Sequence, residues 1–138
     1  MHEASRKTLE QVVEEYGRYP IEAFEFVRAG LNHTVLRIHG AAAREPDHQS
    51  HVSGQQLCEG LRAYALQRYG LMAKAVLNHW RICRTADFGK IVWAMVESKL
   101  MQKTEEDDIR DFEDVYDFRT AFDPPTRPAP PRKSTFSL

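Results

Sequence analysis

Residues 53–69, SGQQLCEGLRAYALQRY, decide the fold because they carry both a helix start and a helical apolar period. Ser53 followed three residues later by Gln56 is a capping box, in which the two side chains bond backbone donors that the first helical turn leaves unpaired. Apolar residues then recur at helical spacing until Gly70, which is typical of a helix with one buried face. These residues are Leu57, Cys58, Leu61, Tyr64, Ala65 and Tyr69.

Helical spacing of apolar residues continues on both sides of this segment. Upstream, it predicts one helix that ends at Gly17 and a second that opens at Pro20, which a first helical turn tolerates because it needs no N–H there. Downstream, it predicts helices over residues 71–83 and 86–101, the second being the most apolar in the chain. The sequence therefore predicts about five helices.

Two stretches change from helical spacing to alternation. In residues 34–39, TVLRIH, one face would hold Thr34, Leu36 and Ile38, and aromatic residues stand at even positions of residues 112–118. Alternation predicts short β-strands. We therefore expect an α+β fold that is predominantly α-helical, with a small antiparallel sheet and a second half that resembles a winged helix.

An internal repeat is a further expectation. Residues 23–31 and 92–100 align without a gap in their apolar positions and closing leucine, and each copy is followed by a threonine, Thr34 or Thr104. The alignment indicates either a helix–strand unit used twice or the ordinary likeness of two amphipathic helices.

Charge is segregated along the chain, although the total is only −1. Residues 105–117 hold eight acidic residues against Arg110, a net charge of −7, and the 21 residues that follow have a net charge of +3. Five of the seven prolines lie after Asp123, and proline disfavours helix in the residue before it. We predict one globular domain over residues 1–122 and an extended, Pro-rich basic tail over residues 123–138.

The chemical motifs are sparse. His48 and His51 form an H-x-x-H pair near Cys58, and imidazole and thiolate are good zinc ligands, so this loop is a candidate metal site. The alternative is a hydrogen-bonded loop histidine and a core thiol, since no CxxC or HExxH accompanies the pair. Asp87-Phe88-Gly89 spells a kinase motif without its companion motifs. We expect no enzymatic activity and no cofactor.

Two strings in the chain resemble a family of small bacterial proteins that has no assigned activity. The first is His51-Val52-Ser53-Gly54-Gln55-Gln56-Leu57-Cys58-Glu59-Gly60-Leu61-Arg62, and the second runs from Asp87 to Thr104 as DFGxIVxxMVExxLMxKT. The resemblance covers nearly everything from Leu9 to Phe122. It implies a compact cytoplasmic protein and supplies no catalytic residue.

The sequence favours a non-enzymatic protein-protein interaction or adaptor module over two alternatives. An extended Pro-rich peptide loses little entropy on docking, so the tail is a candidate binding segment, and the alternative is a disordered, solubilising end. The partner would be another protein or a ribonucleoprotein complex, with duplex DNA disfavoured by the acidic block and no membrane partner. The alternatives are a winged-helix nucleic-acid-binding regulator and a small metal-binding protein or enzyme that uses the His48/His51 loop. The candidate binding residues are Pro124, Pro125, Arg127, Pro128, Pro130, Pro131, Arg132, Lys133 and Phe136.

Overall fold

The computed structural model describes residues 7–44 and 51–123, and within these ranges the chain is helical and contains no β-strand. The predominantly helical prediction is thus confirmed, and the predicted antiparallel sheet is wrong. The elements in chain order are α1 (Leu9–Tyr16), α2 (Ile21–His39), a 3₁₀ turn (Gly40–Arg44), α3 (Gly54–Tyr69), a 3₁₀ turn (Gly70–Met72), α4 (Ala73–His79), α5 (Thr85–Glu97), a 3₁₀ turn (Ile109–Phe112) and α6 (Phe118–Ala121).

The helix ends follow the local signals in the sequence. Ser53 Oγ accepts from the Gln56 N–H at 3.0 Å, and the Gln56 side chain accepts from the Ser53 N–H at 2.9 Å, which completes the predicted capping box of α3. Gly17, with a φ of 69°, ends α1, and Pro20 directly precedes α2. Boundaries set by neighbouring residues were therefore predictable.

Helices α2 and α3 pack closely because small residues stand at their crossing. A Cβ on Gly60 would lie 1.9 Å from Thr34 Oγ1, and a Cβ on Gly30 would lie 2.2 Å from Leu61 Cδ2. Each glycine therefore admits a side chain of the other helix at van der Waals distance. The fully buried core continues through Phe24 and Val27 of α2, Cys58 and Ala65 of α3, and Phe88, Ile91 and Met95 of α5.

The predicted strand at residues 34–39 is the last part of α2. Thr34 is buried against Gly60, and its hydroxyl donates to the Gly30 carbonyl at 2.7 Å, so this β-branched residue is satisfied inside a helix. Leu36 and Ile38, which the strand would have buried beside Thr34, are 37% and 44% exposed. The contact with α3 outweighs the local preference for strand.

The predicted strand over residues 112–118 is a series of capped turns. Asp108 accepts from the Arg110 N–H at 2.9 Å and begins the 3₁₀ turn, and Asp117 accepts from the Arg119 N–H at 2.9 Å and begins α6. Aspartate competes well for backbone donors at such positions, so the acidic residues break the chain into short turns. The aromatic residues still face inward, with Phe112 and Phe118 buried.

The winged-helix-like second half and the internal helix–strand repeat are wrong for the same reason. The repeat needs extended segments over residues 34–39 and after α5, and the winged helix needs one after α5. Residues 34–39 are instead the end of α2, and the described residues after α5 form a run of turns. The helix predicted over residues 71–83 is also shorter, since α4 ends at His79 and the chain reverses at Arg81, whose φ is 68°.

A buried carboxylate ties the start of α5 to the junction between α1 and α2. Asp87 Oδ2 accepts from the N–H groups of Cys83 at 2.8 Å and Arg84 at 3.2 Å, and Asp87 Oδ1 accepts from the Tyr19 hydroxyl at 2.5 Å. The string Asp87-Phe88-Gly89 is thus a structural helix start, with Phe88 in the core.

Candidate binding pocket

A pocket of about 120 Å³ opens between α2, α3, α5 and the acidic segment. Its interior is apolar, and its rim carries Asp107, Asp108 and Asp111, together with His51 and Lys103. We call it the acid-rimmed pocket. The apolar residues that line it are Leu31, Val35, Val52, Leu57, Val92, Trp93, Val96, Met101 and Phe112.

Phe112 forms one wall because two glycines leave room for its ring. A Cβ on Gly89 would lie 2.8 Å from Phe112 Cβ, and a Cβ on Gly54 would lie 3.0 Å from Phe112 Cε1. The ring also meets Trp93 edge to face, with centroids 6.2 Å apart. Gly54 and Gly89 therefore position the Phe112 wall of the pocket, and each belongs to one of the two strings on which the family resemblance rests.

The rim aspartates are held in place by local hydrogen bonds. Asp107 accepts from the Thr104 N–H at 2.8 Å, and Asp111 accepts from the Asp108 N–H at 3.1 Å. Asp108 lies 2.8 Å from the Arg110 guanidinium, and side-chain and backbone bonds from Arg110 lower the pKa of Asp108 to about 2. Asp108 therefore keeps its negative charge well into acid.

Acid titration tests this geometry. Because the folded pKa of Asp108 lies below its ordinary value of 3.8, its contribution to stability is present above about pH 4 and is lost as the pH falls toward 2. We expect the side-chain carboxyl carbon of Asp108 to titrate near pH 2 in NMR, and Arg110→Gln to move the midpoint upward. A midpoint that stays the same in Arg110→Gln would contradict the pairing.

The three candidate metal ligands do not form a described site. His48 lies outside the described residues. His51 Nε2 lies 3.1 Å from Asp107 Oδ1, and the His51 carbonyl lies 2.8 Å from His39 Nε2. Within residues 7–44 and 51–123, no three His, Cys, Asp or Glu side chains are placed to hold a metal ion. The described partners of His51 fasten the start of the α3 segment to α2 and to the rim.

Cys58 is a core thiol in this arrangement. It is fully buried in α3, and burial raises the pKa of its thiol to about 12. Its carbonyl accepts from the Tyr116 hydroxyl at 2.8 Å, which secures the acidic segment to α3. A protonated thiol is a poor nucleophile and a poor metal ligand.

Thiol labelling checks the burial of Cys58. We expect a maleimide reagent to modify the exposed Cys83 quickly in the native protein and to leave Cys58 unmodified until the chain is unfolded. Cys83→Ser should remove the fast phase and leave the slow one. Labelling of Cys58 in native Cys83→Ser at the rate of an unfolded control would show that α3 exposes this thiol.

The sequence-predicted binding segment, residues 124–138, lies outside the described residues. The pocket that the structure shows was missed by sequence reasoning, because its wall depends on contacts between distant residues. Two signals pointed toward it, namely the aromatic residues within the acidic stretch and the glycines at positions 54 and 89. Neither signal predicts that an aromatic residue of the acidic stretch packs against these glycines.

Comparisons of this chain with protein-family models, curated proteins and solved structures give no match. The resemblance to a family of small bacterial proteins stays a prediction, and the site has to be interpreted from its own residues.

Proposed function

We propose that this protein is a non-enzymatic protein-protein interaction module whose acid-rimmed pocket takes one apolar side chain from a basic segment of a partner protein. The observation that carries the proposal is that one pocket combines an apolar interior of about 120 Å³ with a rim of three aspartates. Burial in the interior supplies affinity, and the rim selects positive charge and speeds encounter.

The size of the pocket suits a single large side chain. Its volume is somewhat below the roughly 150 Å³ of an engineered cavity that admits benzene. The pocket also continues into a shallower groove along α2, because Leu31, Val35 and Met101 line both. An extended peptide can therefore lie in the groove while one Leu, Met or Phe side chain enters the pocket.

The charge around the pocket favours a basic partner. Residues 105–117 carry a net charge of −7, and the exposed Glu105, Glu106, Glu113 and Asp114 make no ion pair with another described residue. Phosphate backbones would be repelled here, so the partner is a protein, alone or within a ribonucleoprotein complex.

No helix in the described ranges has the length and apolar content that a bilayer span needs. We place the interaction in the cytoplasm.

Peptide titration tests the proposal, with Trp93 as the reporter. The probe is a heptapeptide with a central phenylalanine between lysines and arginines, added to the 138-residue chain carrying Trp80→Phe. We expect a saturable change in Trp93 emission that weakens as salt is added, because part of the attraction is electrostatic. Peptides with serine in place of phenylalanine, or glutamates in place of the basic residues, should give at least about tenfold weaker binding, a loss of about 1.4 kcal/mol.

Matched variants assign the binding to the pocket. Val35→Phe places a ring at the pocket lining and should abolish binding, whereas Ile38→Phe adds the same ring to α2 outside the pocket and should not. Asp107→Asn with Asp111→Asn should weaken binding, whereas Glu113→Gln with Asp114→Asn should do so less. If the phenylalanine peptide gives no saturable change, or if Val35→Phe binds it as well as the parent protein does, the proposed function is wrong.

A further inference from the structure

The composition of residues 124–138, PPTRPAPPRKSTFSL, complements the acid-rimmed pocket. The segment holds Arg127, Arg132 and Lys133, no acidic residue, and a single aromatic residue, Phe136. These are the features that the proposed function assigns to a partner peptide, a basic stretch beside one large apolar side chain.

The described chain ends close enough to the pocket for this segment to reach it. Arg62 Nε donates to the Ala121 carbonyl at 2.6 Å, so the end of α6 is held against α3. Leu57, which lines the pocket, lies five residues from Arg62 on the same helix, roughly 8 Å along its axis. Phe136 lies 13 positions after Asp123, a separation that spans roughly 40 Å in an extended chain at about 3.1 Å per residue.

We propose that residues 124–138 are an intramolecular ligand of the acid-rimmed pocket, with Phe136 in the apolar interior and Arg132 and Lys133 beside the rim aspartates. The inference rests on the proposed function, because it uses the same pocket. A tethered segment acts at an effective concentration in the millimolar range, so even a weak contact occupies the pocket. A partner peptide then has to displace the tail, so the tail lowers the apparent affinity of the pocket for the partner peptide.

The experiment compares variants of the 138-residue chain that all carry Trp80→Phe. The tail variant contains Arg132→Ser, Lys133→Ser and Phe136→Ser, and the control variant contains Thr126→Ala, Ser134→Ala and Ser137→Ala. We expect acrylamide to quench Trp93 about twofold more strongly in the tail variant, with amide shifts at residues 92–96 and 107–111. We expect the control variant to match the parent, and quenching in the parent to be independent of protein concentration.

The heptapeptide separates this inference from the proposed function. If the tail occupies the pocket in the parent, the peptide should bind the tail variant about tenfold more tightly than the parent, because the pocket of the variant is empty. Equal affinity and equal quenching in the two proteins would overturn the intramolecular ligand and leave the proposed function standing. Quenching that depends on protein concentration would also overturn it, in favour of a second copy. Failure of the peptide to bind either protein would contradict the proposed function itself.

Discussion

Gly60→Ala is expected to destabilise the protein by about 3 kcal/mol, although alanine is ordinarily the better helix former by about 1 kcal/mol. The new Cβ would lie 1.9 Å from Thr34 Oγ1 and 2.7 Å from both Thr34 Cβ and Cγ2, so α2 and α3 would have to separate. Urea unfolding followed by circular dichroism measures the change, which should lower the midpoint without changing the slope.

Two further variants show whether the clash with Thr34 is the cause. Glu59→Ala changes an exposed neighbour on α3 and should alter stability by no more than about 0.5 kcal/mol. Thr34→Gly removes the three atoms nearest to the new Cβ, so the double variant should be less destabilised than the two single changes added together. A Gly60→Ala protein as stable as the parent would mean that the two helices do not approach at this point.

Asp87→Ala is expected to cost about 3 kcal/mol or more, because it leaves three donors without their acceptor. These donors are the Tyr19 hydroxyl and the N–H groups of Cys83 and Arg84, and Asp87 itself is only 7% exposed. Tyr19→Phe removes one hydrogen bond and keeps the helix start, so it should cost about 1 kcal/mol. Thermal or urea unfolding of both variants measures the difference.

The matched control is Lys90→Gln, since Lys90 Nζ lies 4.0 Å from Asp87 Oδ1 at the protein surface. A partly exposed ion pair at that distance contributes at most about 1 kcal/mol. If Asp87→Ala is no more harmful than Lys90→Gln, the carboxylate does not organise the start of α5.

The sequence predicts correctly those helix boundaries that depend only on neighbouring residues. The capping box of Ser53 and Gln56, the stop at Gly17 and the entry at Pro20 each depend on groups within one turn, and the structure has all three. The strand at residues 34–39 was wrong because Thr34 is placed by Gly60, a contact between residues 26 positions apart. No local pattern contains that contact.

The acidic stretch shows the same limit for the site. Its aromatic spacing correctly indicated buried side chains, as Phe112 and Phe118 show, but its aspartates cap turns, and capping replaced the expected strand. The pocket then arises where Phe112 meets Gly54 and Gly89. Composition suggested a charged surface here, and only the folded chain shows that an apolar interior lies beneath it.

Nuclear Overhauser effects from the Phe112 ring test most directly how the pocket is built. The structure predicts cross-peaks from this ring to the α-protons of both Gly54 and Gly89 and to the Trp93 ring. It predicts helical contacts, three and four residues apart, through residues 34–39. The account would be contradicted if both glycine cross-peaks were absent and α-proton contacts joined residues 34–39 to residues 112–118. That result would support the predicted sheet and exclude the pocket.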